Sequence, residues 1–170
     1  MNYFGTDGIR GPYGDPVINE SFARSLGSGL GAHLIASGKR AQSILLGRDT
    51  RPSGESLQNA FGQGLQDRGF TPLDAGIIPT PALSSAVMNG KLCMGAMITA
   101  SHNPSQDNGF KLFSGAGEKL SAKEEELIES QIDLSKNIAA RPVDLPKHDA
   151  LKEYVERLVG FFPDGFLKGY

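Results

Sequence analysis

Apolar residues recur along the chain with two periods, and these periods predict helices that alternate with strands. A four-residue spacing across residues 22–34 is typical of one helix face, for which Asn19 and Ser21 are candidate caps. Further helices are predicted after Ser53 and from Pro81, which suits a first helical turn. The alternation predicts a three-layer α/β/α sandwich around a mixed, mostly parallel sheet. Short apolar runs typical of buried strands lie at residues 43–47, 73–78 and 93–99.

The last of these strands leads directly into a polar loop. Residues 93–99 are apolar at both alternating positions, which predicts a central strand covered on two faces. Residues 100–104 cannot continue a helix or a strand, and a strand pattern returns at residues 109–113. In open α/β sheets, ligands bind outside the carboxyl ends of the strands. The polar loop therefore lies where a binding site is expected.

The rest of the chain predicts two helices with a linker between them. Ser121 and Glu124 form a capping-box pattern that opens the first helix. Its predicted apolar face consists of Leu127, Ile128 and Ile132. Residues 135–146 contain two prolines and are interpreted as a linker or an extended crossing segment. The last helix is predicted to carry its apolar residues on one side: Leu151, Tyr154, Val155, Leu158 and Phe162.

Composition and charge are those of an ordinary globular protein and argue against several classes of partner. The chain of 170 residues suffices for one domain with a sizeable core, and 17 basic residues nearly balance 19 acidic ones. It has no run of Lys or Arg, so no nucleic acid partner is expected. Neither a membrane span nor a secretory leader is predicted. The single Cys93 is interpreted as a buried thiol, and a reducing, cytoplasmic setting is expected.

The 22 glycines cluster in short phrases, one of which imitates a nucleotide-binding motif. Residues 27–32 match the pattern Gly-x-Gly-x-x-Gly/Ala, which binds a dinucleotide only where it follows a strand and opens a helix. Here the phrase lies inside the predicted helix at residues 22–34. We therefore predict that its glycines permit close helix packing.

Ser101 lies in the polar loop, and its immediate sequence permits more than one interpretation. Ser-His-Asn-Pro is a common turn sequence and, taken alone, favours a simple turn. A hydrolase triad is disfavoured, because His102 is adjacent in sequence and no Gly-x-Ser-x-Gly elbow surrounds the serine. The interpretation therefore depends on other phrases of the chain.

Three phrases together resemble the signatures of the α-D-phosphohexomutases. Residues 99–104 (Thr-Ala-Ser-His-Asn-Pro) and 107–111 (Asp-Asn-Gly-Phe-Lys) resemble the phosphoserine loop of that family. Residues 4–11 look like its N-terminal signature, and residues 47–54 are similar to its third marker. The phrases occur in the family's order. The resemblance implies that residues 1–170 are the first of four domains, with residues 135–170 leading to a second domain.

The resemblance implies phosphoryl transfer between the 1- and 6-positions of a hexose phosphate through a 1,6-bisphosphate. Ser101 matches the serine that carries the phosphoryl group. Arg10 matches a phosphate-side arginine, whose planar guanidinium can hold two phosphoryl oxygens, although a surface arginine in a hairpin is the alternative. Lys111 matches a general acid or base, and His102 a hydrogen-bonding or proton-handling neighbour. A phosphate raises a lysine pKa whereas a base must be neutral, so the sequence leaves the role of Lys111 open.

The same resemblance implies Mg²⁺ and a sugar bisphosphate as cofactors. In the family Mg²⁺ binds one phosphoserine oxygen and three aspartates of the second domain, so phosphorylated Ser101 is the metal ligand expected from this chain. Glucose- or glucosamine-1,6-bisphosphate is the expected primer. Residues 48–51 (Arg-Asp-Thr-Arg) permit either an electrostatic role near the cleft or a scaffold role, in which Asp49 ties loop amides or Arg51.

The phrases at residues 5–8 and 107–109 look most like the family members that convert glucosamine 6-phosphate to glucosamine 1-phosphate. Members that act as phosphomannomutase/phosphoglucomutase are the alternative. The family's metal loop, sugar loop and distal phosphate loop do not occur in these residues, so the chain alone is expected to be inactive without the other domains of a full-length chain. A rival of another class is a non-catalytic module that binds a phosphosugar or a protein.

Overall fold

A computed structural model describes residues 3–135 and 143–169 of the protein. In this part of the chain, one sheet contains the strands β1 (Ile9–Pro12), β2 (Ser43–Arg48), β3 (Thr71–Ile77), β4 (Met94–Ile98) and β5 (Asp107–Ser114). The helices are α1 (Glu20–Ala36), α2 (Gly54–Gln66), α3 (Thr80–Asn89), α4 (Ala122–Glu129) and α5 (Ala150–Val159).

The sheet has the strand order β1-β5-β4-β2-β3. Strand β2 pairs in parallel with β3 and β4, whereas β5 pairs antiparallel with both β4 and β1. Strand β1 consequently runs in the same direction as β4, so β5 alone opposes the other four. The predicted mixed, mostly parallel sheet is confirmed.

Alternate residues of the central strands enter two separate cores. Ile44 and Leu46 of β2 pack in a core shared with α1, α2 and α4, whereas Leu45 packs with α3 and the start of α5. Every residue of β4 is buried, as expected of a strand covered on both faces. The predicted three-layer α/β/α sandwich is therefore confirmed.

The helix starts follow the predicted caps with one exception. The Asn19 side chain accepts a hydrogen bond of 2.9 Å from the Phe22 amide at the start of α1, and the Ser121–Glu124 capping box opens α4. Ser53 occupies the cap position of α2, but its side chain makes no capping bond. Its backbone is already helical, and its hydroxyl instead accepts a hydrogen bond from the buried Asn108 side chain.

Two further details differ from the sequence prediction. Strand β1 was not predicted, because the Gly- and Pro-rich opening lacks an apolar alternation, and its pairing partner β5 lies about a hundred residues away. Leu127 was predicted on the apolar face of α4, yet it is exposed, whereas Ile128 is fully buried. Helix α4 is only eight residues long and contacts α1 along a narrow stripe, which leaves Leu127 outside the core.

Glycines allow α1 and α2 to pack almost backbone to backbone. A Cβ atom at Gly27 would lie 2.1 Å from the Phe61 carbonyl oxygen, and one at Gly64 would lie 2.1 Å from the Arg24 carbonyl oxygen. The glycine phrase at residues 27–32 therefore lies in the middle of α1 and serves helix packing, as predicted.

The predicted linker lies partly outside the described residues, which omit positions 136–142. The portion that follows runs beside β3, where the Asp74 amide donates to the Pro146 carbonyl and the His148 amide donates to the Asp74 carbonyl. Leu145 is buried against α2 at Gly62. This stretch is therefore an extended crossing segment, one of the two interpretations that the sequence allowed.

Asp74 joins this crossing segment to the sheet through a buried network. Its carboxylate accepts hydrogen bonds from Gln58 (2.6 Å), the Gly76 amide (2.7 Å), Arg48 (3.3 Å) and Lys147. Burial opposes ionisation of the carboxyl, but the bonds from Lys147, Gln58 and Gly76 outweigh it and hold the pKa of Asp74 below its ordinary value. The ionised carboxylate therefore stabilises the fold.

We expect Asp74→Asn to lower the free energy of unfolding by about 2 kcal/mol at neutral pH, because it removes the charge from a buried paired site. The folded pKa is lower than the unfolded one, so this contribution is present above the unfolded pKa and is lost as pH falls through the folded pKa. Urea unfolding from about pH 6 to pH 3 measures it. The exposed Asp164→Asn is the control, and an equal pH slope for Asp74→Asn and the unsubstituted protein would contradict the prediction.

Helix α5 carries the predicted apolar stripe, but most of that stripe is not covered. Tyr154 packs against α3 together with Ala150. The other stripe residues are exposed, as are the aromatic residues that follow the helix: Leu151, Val155, Leu158, Phe161, Phe162 and Phe166. None of the described helices is long and apolar enough to cross a membrane.

Candidate active site

Ser101 lies in the loop that joins β4 to β5, at the carboxyl end of the buried central strand. The residue is exposed, and its hydroxyl makes no hydrogen bond with any described residue. Its φ is +58°, in the left-handed region that residues other than glycine rarely adopt. The sequence-predicted phosphate carrier thus presents a free hydroxyl from a constrained backbone.

The guanidinium of Arg51 holds this loop by its main chain. Arg51 follows β2, the neighbour of β4 in the sheet, and its side chain is only 10% exposed. Its nitrogens donate to four carbonyl oxygens of the loop, those of Ser101 (3.1 Å), Asn103 (2.9 Å), Pro104 and Asp107 (2.8 Å). A single side chain therefore fixes both ends of the loop.

Asp49 ties Arg51 to the end of β4. One carboxylate oxygen accepts hydrogen bonds from Arg51 Nε (3.0 Å) and the Thr99 hydroxyl (2.6 Å), and the other accepts from the Arg51 amide. The Thr99 hydroxyl in turn accepts a hydrogen bond of 2.9 Å from the Ser101 amide. The scaffold interpretation of Asp49 and Arg51, left open by the sequence, is the one that the geometry supports.

Arg10 lies on β1 and lines a cleft of about 360 Å³ together with Tyr3, residues 5–8 and Asn103. Its guanidinium forms an ion pair of 3.2 Å with Asp7 and approaches the Asn103 side-chain oxygen at 3.5 Å. Arg10 Nε is buried and has no hydrogen-bond partner among the described residues. The guanidinium of a cleft-lining arginine can bind an anion through charge-assisted hydrogen bonds.

The loop in front of Arg10 is a tight turn that only glycine permits. Gly8 has a φ of +89°, and a Cβ atom there would lie 2.3 Å from the Phe110 carbonyl oxygen. The Gly5 amide donates to the Gly8 carbonyl (2.9 Å), and the Lys119 ammonium donates to the Thr6 carbonyl. These contacts keep residues 5–8 against β5 and form one wall of the cleft.

Lys111 lies on β5 opposite Met97 of β4, and its side chain is partly buried. Ile9 and Phe110 are paired neighbours of Arg10 and Lys111 along the two strands, and both pack in the core shared with α1, α2 and α4. Because side chains alternate between faces along a strand, Arg10 and Lys111 share the opposite face of the sheet. Burial lowers the pKa of Lys111, and the positive charge of Arg10 lowers it further, while Asp7 acts in the opposite direction. The neutral amine, which can accept a proton, is therefore favoured relative to an exposed lysine.

We expect Lys111→Met to stabilise the fold at neutral pH by up to about 1 kcal/mol, or roughly 2–4 °C in Tm, because it removes a poorly solvated cation beside Arg10. The folded pKa is below the unfolded one, so the unfolded chain binds more protons between them and wild-type stability rises with pH in that window. Melting curves at neutral and alkaline pH measure both effects. A less stable methionine variant at neutral pH would show that the lysine is a structural residue.

His102 lies near Ser101 because it is the next residue in the chain, and no polar contact of its side chain with the described residues holds it there. Its side chain is exposed and makes no hydrogen bond or ion pair with the described residues. Across residues 3–135 and 143–169, no group of three or more His, Cys, Asp or Glu side chains is arranged to hold a metal ion.

Of the predicted site residues, Arg10 lines the cleft and Lys111 shares the sheet face of Arg10, while the loop that carries Ser101 and His102 meets the cleft at Asn103. The structure also ties Asp49, Arg51 and Thr99 to the Ser101 loop; the sequence left the role of Asp49 and Arg51 open and did not identify Thr99 as a support. A signal for them existed: an Asp-x-Arg sequence directly follows β2, and the carboxyl ends of adjacent parallel strands meet at one edge.

The chain is similar to known proteins along most of its length. Residues 1–138 match the family model of phosphoglucomutase/phosphomannomutase, α/β/α domain I. The phosphoglucosamine mutase of Bordetella pertussis is 43% identical over 139 residues, which are 77% of this chain and 31% of that protein. The phosphoglucosamine mutase of Haemophilus ducreyi is 39% identical over 179 residues, covering 99% of this chain and 38% of that protein.

The fold also has a counterpart among solved structures. The crystal structure of a putative phosphomannomutase from Thermus thermophilus matches with a TM-score of 0.82 and 30% identity, covering 94% of this chain and 36% of that one. The chain spans about a third of the length of the relatives that it matches. Since the family model covers well over half of its residues, this chain belongs to the phosphoglucomutase/phosphomannomutase family and contains its α/β/α domain I.

Proposed function

We propose that this chain is the phosphoserine domain of a hexose-phosphate mutase, with Ser101 as the residue that carries the phosphoryl group. The observation that supports this most directly is the free Ser101 hydroxyl, presented after the carboxyl end of the central strand, two residues before Asn103, which lines the Arg10 cleft. A serine ester suits the task, because each transfer then exchanges one alkyl phosphate for another of similar energy. The reaction is an intramolecular transfer between the 1- and 6-positions through a 1,6-bisphosphate.

The charges of the site are matched to a phosphoryl group. A phosphoserine carries about −1.5 to −2 charges at neutral pH, and the sugar phosphate adds more. We infer that Arg10 binds phosphoryl oxygens through its guanidinium, in competition with Asp7. Lys111 on the same sheet face supplies a second positive charge when protonated and accepts the proton of the attacking hydroxyl when neutral.

His102 is the less constrained member of the proposed set. Its exposed ring is adjacent to Ser101 and is free to turn toward a bound sugar phosphate, to which it would donate a hydrogen bond or a proton. Mg²⁺ would neutralise charge that develops on the phosphoryl oxygens. From this chain, phosphorylated Ser101 would hold it, and the carboxylate ligands would come from another domain.

We infer glucosamine 6-phosphate as the substrate and glucosamine 1-phosphate as the product. The inference rests on the curated relatives, which are named phosphoglucosamine mutases. A phosphomannomutase or phosphoglucomutase activity is the second candidate, since the matching solved structure from Thermus thermophilus is titled a putative phosphomannomutase. Glucose- or glucosamine-1,6-bisphosphate would prime the serine in either case.

We further propose that the domain works within a longer chain. The matched relatives are about three times as long, and the exposed apolar stripe of α5 offers a surface that a following domain would cover. On this proposal the 170 residues fold but show no mutase activity alone. A coupled mutase assay on this chain with Mg²⁺ and a bisphosphate tests it, and sustained turnover would contradict it.

Phosphate mapping on active full-length enzyme tests the proposed function itself. We expect one stoichiometric phosphate, on Ser101, seen by intact mass and peptide sequencing. Ser105 lies in the same loop and Ser114 ends β5, and both serve as internal controls. Phosphate on either of them with Ser101 unmodified would refute the assignment. A binding module without catalysis, the rival class, would carry no phosphate at all.

A further inference from the structure

The loop that carries Ser101 is fixed from two directions that meet at a single carboxylate. Arg51 holds the Ser101 carbonyl, and Thr99 holds the Ser101 amide. Both side chains donate to the same Asp49 oxygen, at 3.0 Å and 2.6 Å. The Ser101 carbonyl is therefore linked to Asp49 through Arg51, and the Ser101 amide is linked to Asp49 through Thr99.

The conformation of Ser101 explains why such a double tie is needed. A φ of +58° is unfavourable for a residue with a Cβ atom, and conformations of this kind persist only where the surroundings fix them. The Ser101 side chain provides no such restraint, because its hydroxyl has no hydrogen-bond partner among the described residues. The restraint must come from the main-chain contacts, which are those of Thr99 and Arg51.

Arg51 acts on the loop without being part of the cleft. All of its hydrogen bonds to the loop end on carbonyl oxygens, and its remaining partner is Asp49. The residues that line the cleft include Arg10 and Asn103 but not Arg51. Arg51 thus makes its hydrogen bonds to the main chain of the loop and to Asp49.

We propose that Arg51 is a positioning residue that, with Asp49 and Thr99, holds Ser101 in the left-handed conformation and so sets the direction of its hydroxyl. This inference rests on the proposed function, because the proposed function makes the Ser101 hydroxyl the reacting group. Lysine cannot replace Arg51, since a single ammonium cannot reach four carbonyls and a carboxylate in a planar fork. Arg51→Lys therefore keeps the charge and removes the geometry.

The first test uses NMR of the 170-residue chain and needs no activity. A positive φ brings the amide proton and Hα of one residue close together, which gives a strong intraresidue cross-peak. We expect this cross-peak for Ser101 in the unsubstituted chain, and we expect it to weaken in Arg51→Lys. Exchange of the Ser101 amide should accelerate about tenfold, because its hydrogen bond to the Thr99 hydroxyl is lost when the loop is released and a hydrogen bond between neutral groups contributes on that order.

Two further variants separate positioning from general loss of structure. Arg48→Lys is the matched control. Arg48 is the last residue of β2, three positions before Arg51, and is similarly buried. Its guanidinium bonds to Gln58 and Asp74 instead of the loop. It should leave the Ser101 signals unchanged. Thr99→Val, a substitution of similar volume, should accelerate Ser101 exchange, and Thr99→Ser should restore the slow exchange. Unchanged Ser101 signals in Arg51→Lys, or equal changes in Arg48→Lys, would overturn the proposal.

The second test uses the full-length mutase. Arg51→Lys should reduce kcat by about 10²-fold with little change in KM, because misplacing a reacting group by about 1 Å costs on that order while the cleft stays intact. An increase in KM at constant kcat would overturn the positioning role. If the NMR result is as expected but the unsubstituted full-length protein has no mutase activity, the proposed function fails and the conformational role of Arg51 stands.

Discussion

Replacing Ser101 with alanine is expected to abolish mutase turnover in the full-length enzyme. The substitution removes the oxygen that we propose carries the phosphoryl group, and the adjacent His102 has no contact that orients it among the described residues. The fold should tolerate the change within about 0.5 kcal/mol, because the lost hydroxyl has no hydrogen-bond partner in the described part of the chain. Alanine also has nearly the same difficulty as serine with a positive φ.

The measurement is a coupled assay with glucosamine 6-phosphate, Mg²⁺ and a bisphosphate primer, together with a melting curve. Ser105→Ala is the matched control, because Ser105 is exposed in the same loop and has no proposed role. It should retain activity. Turnover by Ser101→Ala above the assay background would mean that a different residue carries the phosphoryl group.

Arg10→Ala is expected to lower kcat/KM by about 10²–10³-fold, the range found when a charge-stabilising donor is removed from a reacting group. The effect on stability should be small, since the partner left behind, Asp7, is 61% exposed and becomes hydrated. Arg10→Lys should recover only part of the loss, because it restores the charge but not the planar fork.

Arg40→Ala serves as the control for Arg10→Ala, since Arg40 is exposed and precedes β2, at the end of the sheet opposite the carboxyl ends of the strands. It should keep the activity of the unsubstituted enzyme. Activity near that of the unsubstituted enzyme for Arg10→Ala would show that the cleft at residues 5–8 does not hold a phosphoryl group, and would favour the hairpin interpretation of this arginine.

The parts of the fold that the sequence predicts are those governed by neighbouring residues. The cap at Asn19 and the capping box at Ser121 are local hydrogen bonds, and the structure contains both. The buried central strand follows from its unbroken apolar run. Strand β1 could not be predicted in this way, because it forms only by pairing with β5 across the sheet.

The candidate site likewise contains residues that the sequence predicts and contacts that depend on the pairing of distant strands. The family resemblance predicts Ser101, Arg10 and Lys111 as site residues; in the structure Arg10 and Lys111 share a sheet face, and the Ser101 loop meets the Arg10 cleft at Asn103. The contact of Arg51 with the Ser101 loop depends on the sheet order, which places β2 next to β4 although about fifty residues separate their loops. Pairings of this kind are set by the packing of the whole domain, so the Asp-x-Arg sequence after β2 indicates this contact only once the sheet order is known.

The positive φ of Ser101 also decides which chemically equivalent residue this position can accept. Threonine offers the same nucleophilic oxygen, but a β-branched residue in the left-handed region is a genuine outlier. Glycine would relax the backbone and lose the oxygen. The loop therefore favours an unbranched side chain that bears a hydroxyl. Ser101→Thr would keep the hydroxyl but would disturb the main-chain conformation of the loop.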